Sequence, residues 1–121
     1  MSENKSILKD KSFSFAIRII KLYKYLIDEK KEYVLSKQIL RSGTLIGANI
    51  REAQNAESTK DFIHKLSIAQ KETDETIYWL ELIKETDFIR DEEFLSINNE
   101  VNQLLKMIRS AIKTTKERYE T

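Results

Sequence analysis

The chain has 121 residues, 40% apolar and 34% charged, and 21 basic against 20 acidic side chains leave a net charge of +1. It contains no cysteine, no proline and a single histidine, which excludes disulfides, thiolate metal sites and any helix break forced by proline. That length suits one domain with a real core, and that composition suits amphipathic helices with solvated outer faces.

The opening residues, MSENKSILKDKS, lack the apolar centre of a signal peptide, and no run of about 18 apolar residues follows. A cytoplasmic location is expected, with residues 1–11 as a flexible segment. Helix one is expected over 12–28, with the Ser12 hydroxyl capping its first turn. Its apolar residues form two stripes, Ala16, Ile20, Tyr23 and Ile27, and Phe15, Ile19, Leu22 and Leu26. One seam of a bundle needs only one stripe. Phe15, Leu22 and Leu26 are therefore expected to meet another subunit. The charged run Asp28 to Glu32 makes the turn.

Helix two is expected over 34–54. It holds Gly43 and Gly47, the only glycines, on the same face as Leu35, Ile39, Ile46 and Ile50. A glycine in a helix interior costs about 1 kcal/mol relative to alanine. Another backbone should therefore come close there, from within the protomer or from a neighbouring subunit. Arg41, Asn49 and Glu52 form a polar set that suits a register-fixing hydrogen-bond network, and Arg41 also suits a ligand or nucleic-acid contact.

Helix three is expected over 58–85. Ser58 serves as N-cap, with Asp61 three residues on in a variant of the capping box. Phe62, Leu66, Ala69, Thr73, Thr76, Leu80 and Ile83 repeat at spacings of four and three, the pattern of a coiled-coil seam. Ile68, Tyr78, Trp79 and Leu82 face away from that seam, which suits a subunit contact or, alternatively, cover by the chain termini. Glu72, Asp74, Glu75 and Glu81 give this helix an acidic solvated or intersubunit face.

Helix four is expected over 91–118 with Asp91 as N-cap, followed by a tail at 119–121. Its main stripe is Phe94, Ile97, Val101, Leu104, Leu105, Ile108, Ile112 and Tyr119. Short loops make successive helices antiparallel neighbours, so the expected fold is all-α, an up-down-up-down four-helix bundle. No strand pattern or internal repeat competes.

Charge is segregated along the chain: 1–51 carry a net +6, 52–100 a net −8 and 101–121 a net +3. Such blocks suit helix pairing inside the bundle, complementary contacts between subunits, or a surface for polyanions. Lys106, Arg109, Lys113 and Lys116 recur at spacings of three, four and three on helix four. Lys11, Arg18 and Lys21, beside Tyr25, lie on the polar side of helix one. Each cation could neutralise a phosphate. No Walker loop, Gly-rich cradle or Ser–His–Asp set is present. A di-iron bundle would need two Glu-x-x-His pairs, and His64 stands alone. No enzymatic activity, cofactor, metal, small-molecule substrate or membrane contact is expected.

Three segments, SFSFAIRIIKLYKYL, QILRSGTLIGANIREA and ESTKDFIHKLSIAQKETDETIYWLEL, closely resemble the four-helix-bundle family of proteins encoded in 23S ribosomal RNA intervening sequences. The matching positions are Gln38, Arg41, Ser42, Ile46, Ala48, Asn49, Ile50 and Glu52 on helix two, with Ser58, Asp61, Phe62, Leu66, Ala69, Glu72, Tyr78 and Trp79 on helix three. The resemblance implies a ring-shaped homopentamer without established enzymatic activity. That family is similar in turn to the accessory variability determinant proteins of diversity-generating retroelements, basic pentameric bundles that bind nucleic acid. With a pI near 7.9, this chain is less basic than those proteins. The expected partners are other copies of the chain, through Phe15, Leu22, Leu26, Gly43, Gly47, Asn49, Ile68, Tyr78, Trp79 and Leu82, and RNA or DNA through the basic faces and Arg41. The alternative is a protein-only scaffold whose acidic central block meets another chain.

Overall fold

Amphipathic periodicity produces four helices in the computed structural model, which describes residues 3–119: α1 (Glu3–Asp28), α2 (Leu35–Gln54), α3 (Thr59–Glu85) and α4 (Asp91–Tyr119). No strand occurs among the described residues. Helix α1 begins at Glu3, so the described part of 1–11 is helical and Ser12 is no cap. Leu8 is the reason: it lies seven residues before Phe15, is buried, and extends that stripe upstream. Ser12 is a buried helical residue whose hydroxyl donates to the Lys9 carbonyl at 3.0 Å.

The other ends are set by local chemistry. At the start of α2, Val34 offers no side-chain cap. Instead the Glu32 carboxylate accepts from the backbone N–H groups of Val34, Leu35 and Ser36 at 3.1, 2.9 and 2.7 Å, satisfying donors that the first turn leaves free. At the start of α3, the Ser58 hydroxyl accepts from the Asp61 N–H at 3.0 Å. Asp91, Glu92 and Glu93 fill the first turn of α4, where the helix dipole favours negative charge. Helix α3 ends in a Schellman motif: the Phe88 N–H reaches the Ile83 carbonyl and the Asp87 N–H that of Lys84, with Asp87 left-handed at φ 67°.

The core draws on all four helices, with Phe15, Ile19 and Leu26, Ile46 and Ile50, Leu66 and Leu80, and Ile97, Leu104 and Ile108 fully buried. This reverses the expectation for α1. Phe15, Leu22 and Leu26 are buried inside the protomer, while Ile20 on the other stripe is exposed and Ala16, Tyr23 and Ile27 are half-buried. Periodicity defines two stripes and leaves open which one turns inward. Leu8, Ser12, Phe15, Ile19, Leu22 and Leu26 form the buried one.

Helix α2 lies between α1 and α3, α3 packs on α4, and α1 and α4 meet more sparsely. The glycines belong to the α1–α2 seam. A Cβ at Gly43 would sit 2.7 Å from Ile19 Cγ1, and one at Gly47 would sit 3.4 Å from the Ser12 carbonyl oxygen. The close approach expected at Gly43 and Gly47 is made by α1 of the same protomer. Toward α3, the Ser42 and Thr76 hydroxyls share a hydrogen bond of 2.9 Å, and Glu52 pairs with Lys65 at 3.0 Å. Between α3 and α4, Lys84 lies 4.0 Å from Asp91, and Arg109 lies 3.9 Å from Asp74.

Candidate functional site

The edge where α2 meets α3 is where polar chemistry concentrates. Thr73 and Thr76 sit in the core and return their hydroxyls to the Ala69 and Glu72 carbonyls, both at 2.7 Å. Asn49 is buried and donates its side-chain amide to the Leu45 carbonyl at 2.9 Å. That bond is local to α2, so the register-fixing pair between helices is Ser42 with Thr76. Glu72, seven residues from both Lys65 and Trp79, is 6% exposed, and its Oε1 has no hydrogen-bond partner. Burial raises the Glu72 pKa above the usual carboxylate range; the Glu75 charge adds to this, and Arg41 and Lys71 oppose it. The Trp79 indole N–H is likewise buried without an acceptor, although its ring meets Tyr78 edge-on at 5.1 Å.

Outside this edge α3 carries a second amphipathic stripe. Ile68 and Leu82 are half-buried and Tyr78 is 55% exposed, with Lys71 and Glu75 between them at spacings of three and four. Ile68, Tyr78, Trp79 and Leu82 thus fall together, as the sequence pattern suggests. The outer stripe of α1 lies apart from them: Phe13, Ile17 and Ile20 are 53%, 42% and 38% exposed, and Lys24 follows at the same spacing. The Arg51 guanidinium lies over the Phe13 ring, 5.4 Å from its centre. Sequence reasoning passed over Phe13 and Ile17, although their four-and-three spacing with Ile20 was visible.

The candidate phosphate-binding residues divide into two groups. Lys11, Lys21, Arg41, Lys106, Lys113 and Lys116 are exposed. Arg18 is instead half-buried and bridges α1 to α4, with Nη1 bonded to Glu100 and Nη2 3.0 Å from Glu93. Burial would lower its pKa, but the bonds to Glu100 and Glu93 outweigh that and hold it raised. Arg18 is thereby taken out of the free cationic set, and Arg109 is drawn toward Asp74. Beside the α4 cations runs an open cleft of about 850 Å³, floored by Leu8, Phe62, Leu66 and Met107 and rimmed by Ser110, Thr114, Lys106 and Arg118.

Among the described residues no cluster of three or more acidic or histidine side chains is placed to hold a metal ion, and no helix is long and apolar enough to cross a membrane. Four packed helices built on a shared core, with no strand among the described residues, define an all-α protein. The profile of the 23S rRNA-intervening sequence protein family matches residues 4–110, and the chain belongs to that family. It is similar to a crystal structure from Bacteroides thetaiotaomicron VPI-5482, that of a protein of unknown function from the S23 ribosomal protein family. The two share 56% identity and a TM-score of 0.90 over 91% of this chain and 98% of that one. No curated protein matches the chain.

Proposed function

We propose that the protein is a non-enzymatic, cytoplasmic homo-oligomer, a pentameric ring as the family resemblance implies, that holds RNA or DNA on the cationic surface of α4. An antiparallel up-down-up-down protomer belongs to this reading. Its support is the order of the contacts: Gly43 meets Ile19 and Gly47 meets Ser12, Ser42 meets Thr76 and Glu52 meets Lys65, and Asp74 meets Arg109 while Lys84 meets Asp91.

The observation that carries assembly is apolar surface left outside a completed core, with Phe13, Ile17, Ile20 and Tyr78 all exposed. Nucleic-acid binding rests on Lys106, Lys113 and Lys116, which share one face of α4, are exposed, and enter no ion pair among the described residues. The hydroxyl and cation rim of the neighbouring cleft supplies further groups of the kind that contact phosphate. A protein-only scaffold is the second reading, favoured by the withdrawal of Arg18 into its pairs with Glu93 and Glu100.

Titration with single-stranded RNA and with duplex DNA across a salt series separates these readings. The nucleic-acid reading expects binding at low salt that weakens as salt rises, in proportion to the phosphates neutralised. Reversing Lys106, Lys113 and Lys116 to Glu should abolish binding and leave the helical content intact. Absence of binding at low salt, or affinity unmoved by the reversals, would leave the scaffold reading standing in its place.

A further inference from the structure

Helix α4 sets two kinds of surface side by side. One is the cationic face of Lys106, Lys113 and Lys116. The other is a row of Lys106, Ser110, Thr114 and Arg118, each four residues from the next and together about 18 Å long. All four are exposed and line the open cleft. The Ser110 and Thr114 hydroxyls have no hydrogen-bond partner among the described residues. Behind the row the floor is apolar, with Phe62 and Met107 half-buried and Leu8 and Leu66 buried. The chain has 20 acidic side chains, yet among the described residues that line the cleft there is no Asp or Glu. Its charged groups are Lys106 and Arg118, so it suits an anion.

A cleft of about 850 Å³ falls within the roughly 300–1,000 Å³ of pockets that take an organic group. The hydroxyls both donate and accept, which suits the polar edge of a nucleobase; an alkyl chain would leave them unpaired. Resting on the nucleic-acid reading above, we infer that the cleft seats an unpaired nucleobase of a strand whose phosphates lie along Lys106, Lys113 and Lys116. The base lies on the floor of Phe62 and Met107 with its polar edge toward Ser110 and Thr114. Lys106 and Arg118, at the two ends of the row, meet the flanking phosphates. Single strands of RNA and of DNA share this chemistry. In a duplex the bases are paired and stacked between two backbones, so the cations alone hold it.

Fluorescence anisotropy at low salt compares three probes of equal length: a labelled single-stranded oligonucleotide, the same strand with abasic sites in place of its internal bases, and the duplex. The abasic strand keeps every phosphate, so its contrast with the intact strand isolates the bases, and does so on the unaltered protein. The intact strand should bind about tenfold more tightly than the abasic one. A Ser110→Leu, Thr114→Leu double variant removes the hydroxyls, narrows the cleft and leaves every cation in place. It should lower the intact strand to the affinity of the abasic strand, while abasic and duplex binding stay as in the wild type and circular dichroism shows the helices intact. Equal binding of intact and abasic strands, or an intact strand indifferent to the double substitution, would overturn the inference and leave binding through the cations standing. If none of the three probes binds, the nucleic-acid reading falls and this inference falls with it.

Discussion

The two edges of α2 are built on opposite principles. On the α1 side two glycines bring the helices close, and the seam is finished by shape: Gly43 is filled by Ile19 and Gly47 by Ser12. On the α3 side the seam is held by polar groups and left unfinished, with Ser42 bonded to Thr76 while the Glu72 and Trp79 polar atoms lie buried without partners. The lesson is that small residues in a helix mark the tightest contact within the subunit. Unsatisfied polar atoms beside exposed apolar residues mark the edge that the protomer leaves open.

The largest effect expected from this comparison is on the closed edge. Gly43→Ala would place a methyl within 2.7 Å of the β-branched, fully buried Ile19, where overpacking costs about 1–3 kcal/mol. Gly47→Ala meets only ordinary contact at 3.4 Å and should gain up to roughly 1 kcal/mol from helix propensity. Urea denaturation of the two variants checks this pair of opposite signs, and equal losses from both would break the account of the glycine seam. On the open edge, Thr76→Val keeps the volume and removes the hydroxyl, leaving buried Ser42 unsatisfied. A loss of about 1–2 kcal/mol is expected in the same measurement.

Two smaller effects depend on pH. Burial opposes ionisation of Glu32, but the N–H groups of Leu35, Ser36 and Val34 overcome it, so its folded pKa is lowered. Its capping contribution is thus present above the unfolded value of about 4.5 and lost as pH falls through the lower folded pKa. Glu32→Gln should cost about 1 kcal/mol at neutral pH, and less in acid. Glu72 has the opposite sign. Its folded pKa is raised, so the folded state holds its proton longer than the unfolded chain, and wild-type stability falls as pH rises from about 4.5 through the folded pKa. Glu72→Gln should therefore gain on the wild type across that window, as read from thermal unfolding at a series of pH values. A gain that does not change with pH would remove the buried charge from the account.

Much of the fold was legible in the sequence because it rests on periodicity and capping. The seam of α3 from Leu66 to Ile83 is buried as its spacing indicates, and Ser58 caps that helix through the Asp61 N–H. The errors fell where one residue type supports two structures. Ser12 has the chemistry of a cap but serves as a small buried residue opposite Gly47. A start at Ser12 also overlooked Leu8, whose burial carries the helix upstream. The two stripes of α1 have the same period, so choosing the inner one required knowing that Ile19 fills the space at Gly43. Of the surface features, the α3 group of Ile68, Tyr78, Trp79 and Leu82 was readable as a stripe. The engagement of Arg18 by Glu93 and Glu100, far apart in sequence, was not. Nor was the burial of Glu72, which depends on how α2 and α3 sit together.

The central claim is that the inner faces complete one protomer while the outer stripes of α1 and α3 belong to an assembly. Light scattering coupled to size exclusion, at micromolar concentration, tests it most directly. The account predicts a single species at a fixed multiple of 14.3 kDa, five copies for the ring. A stable species at 14.3 kDa, with Phe13, Ile17, Ile20 and Tyr78 left facing water, would contradict it.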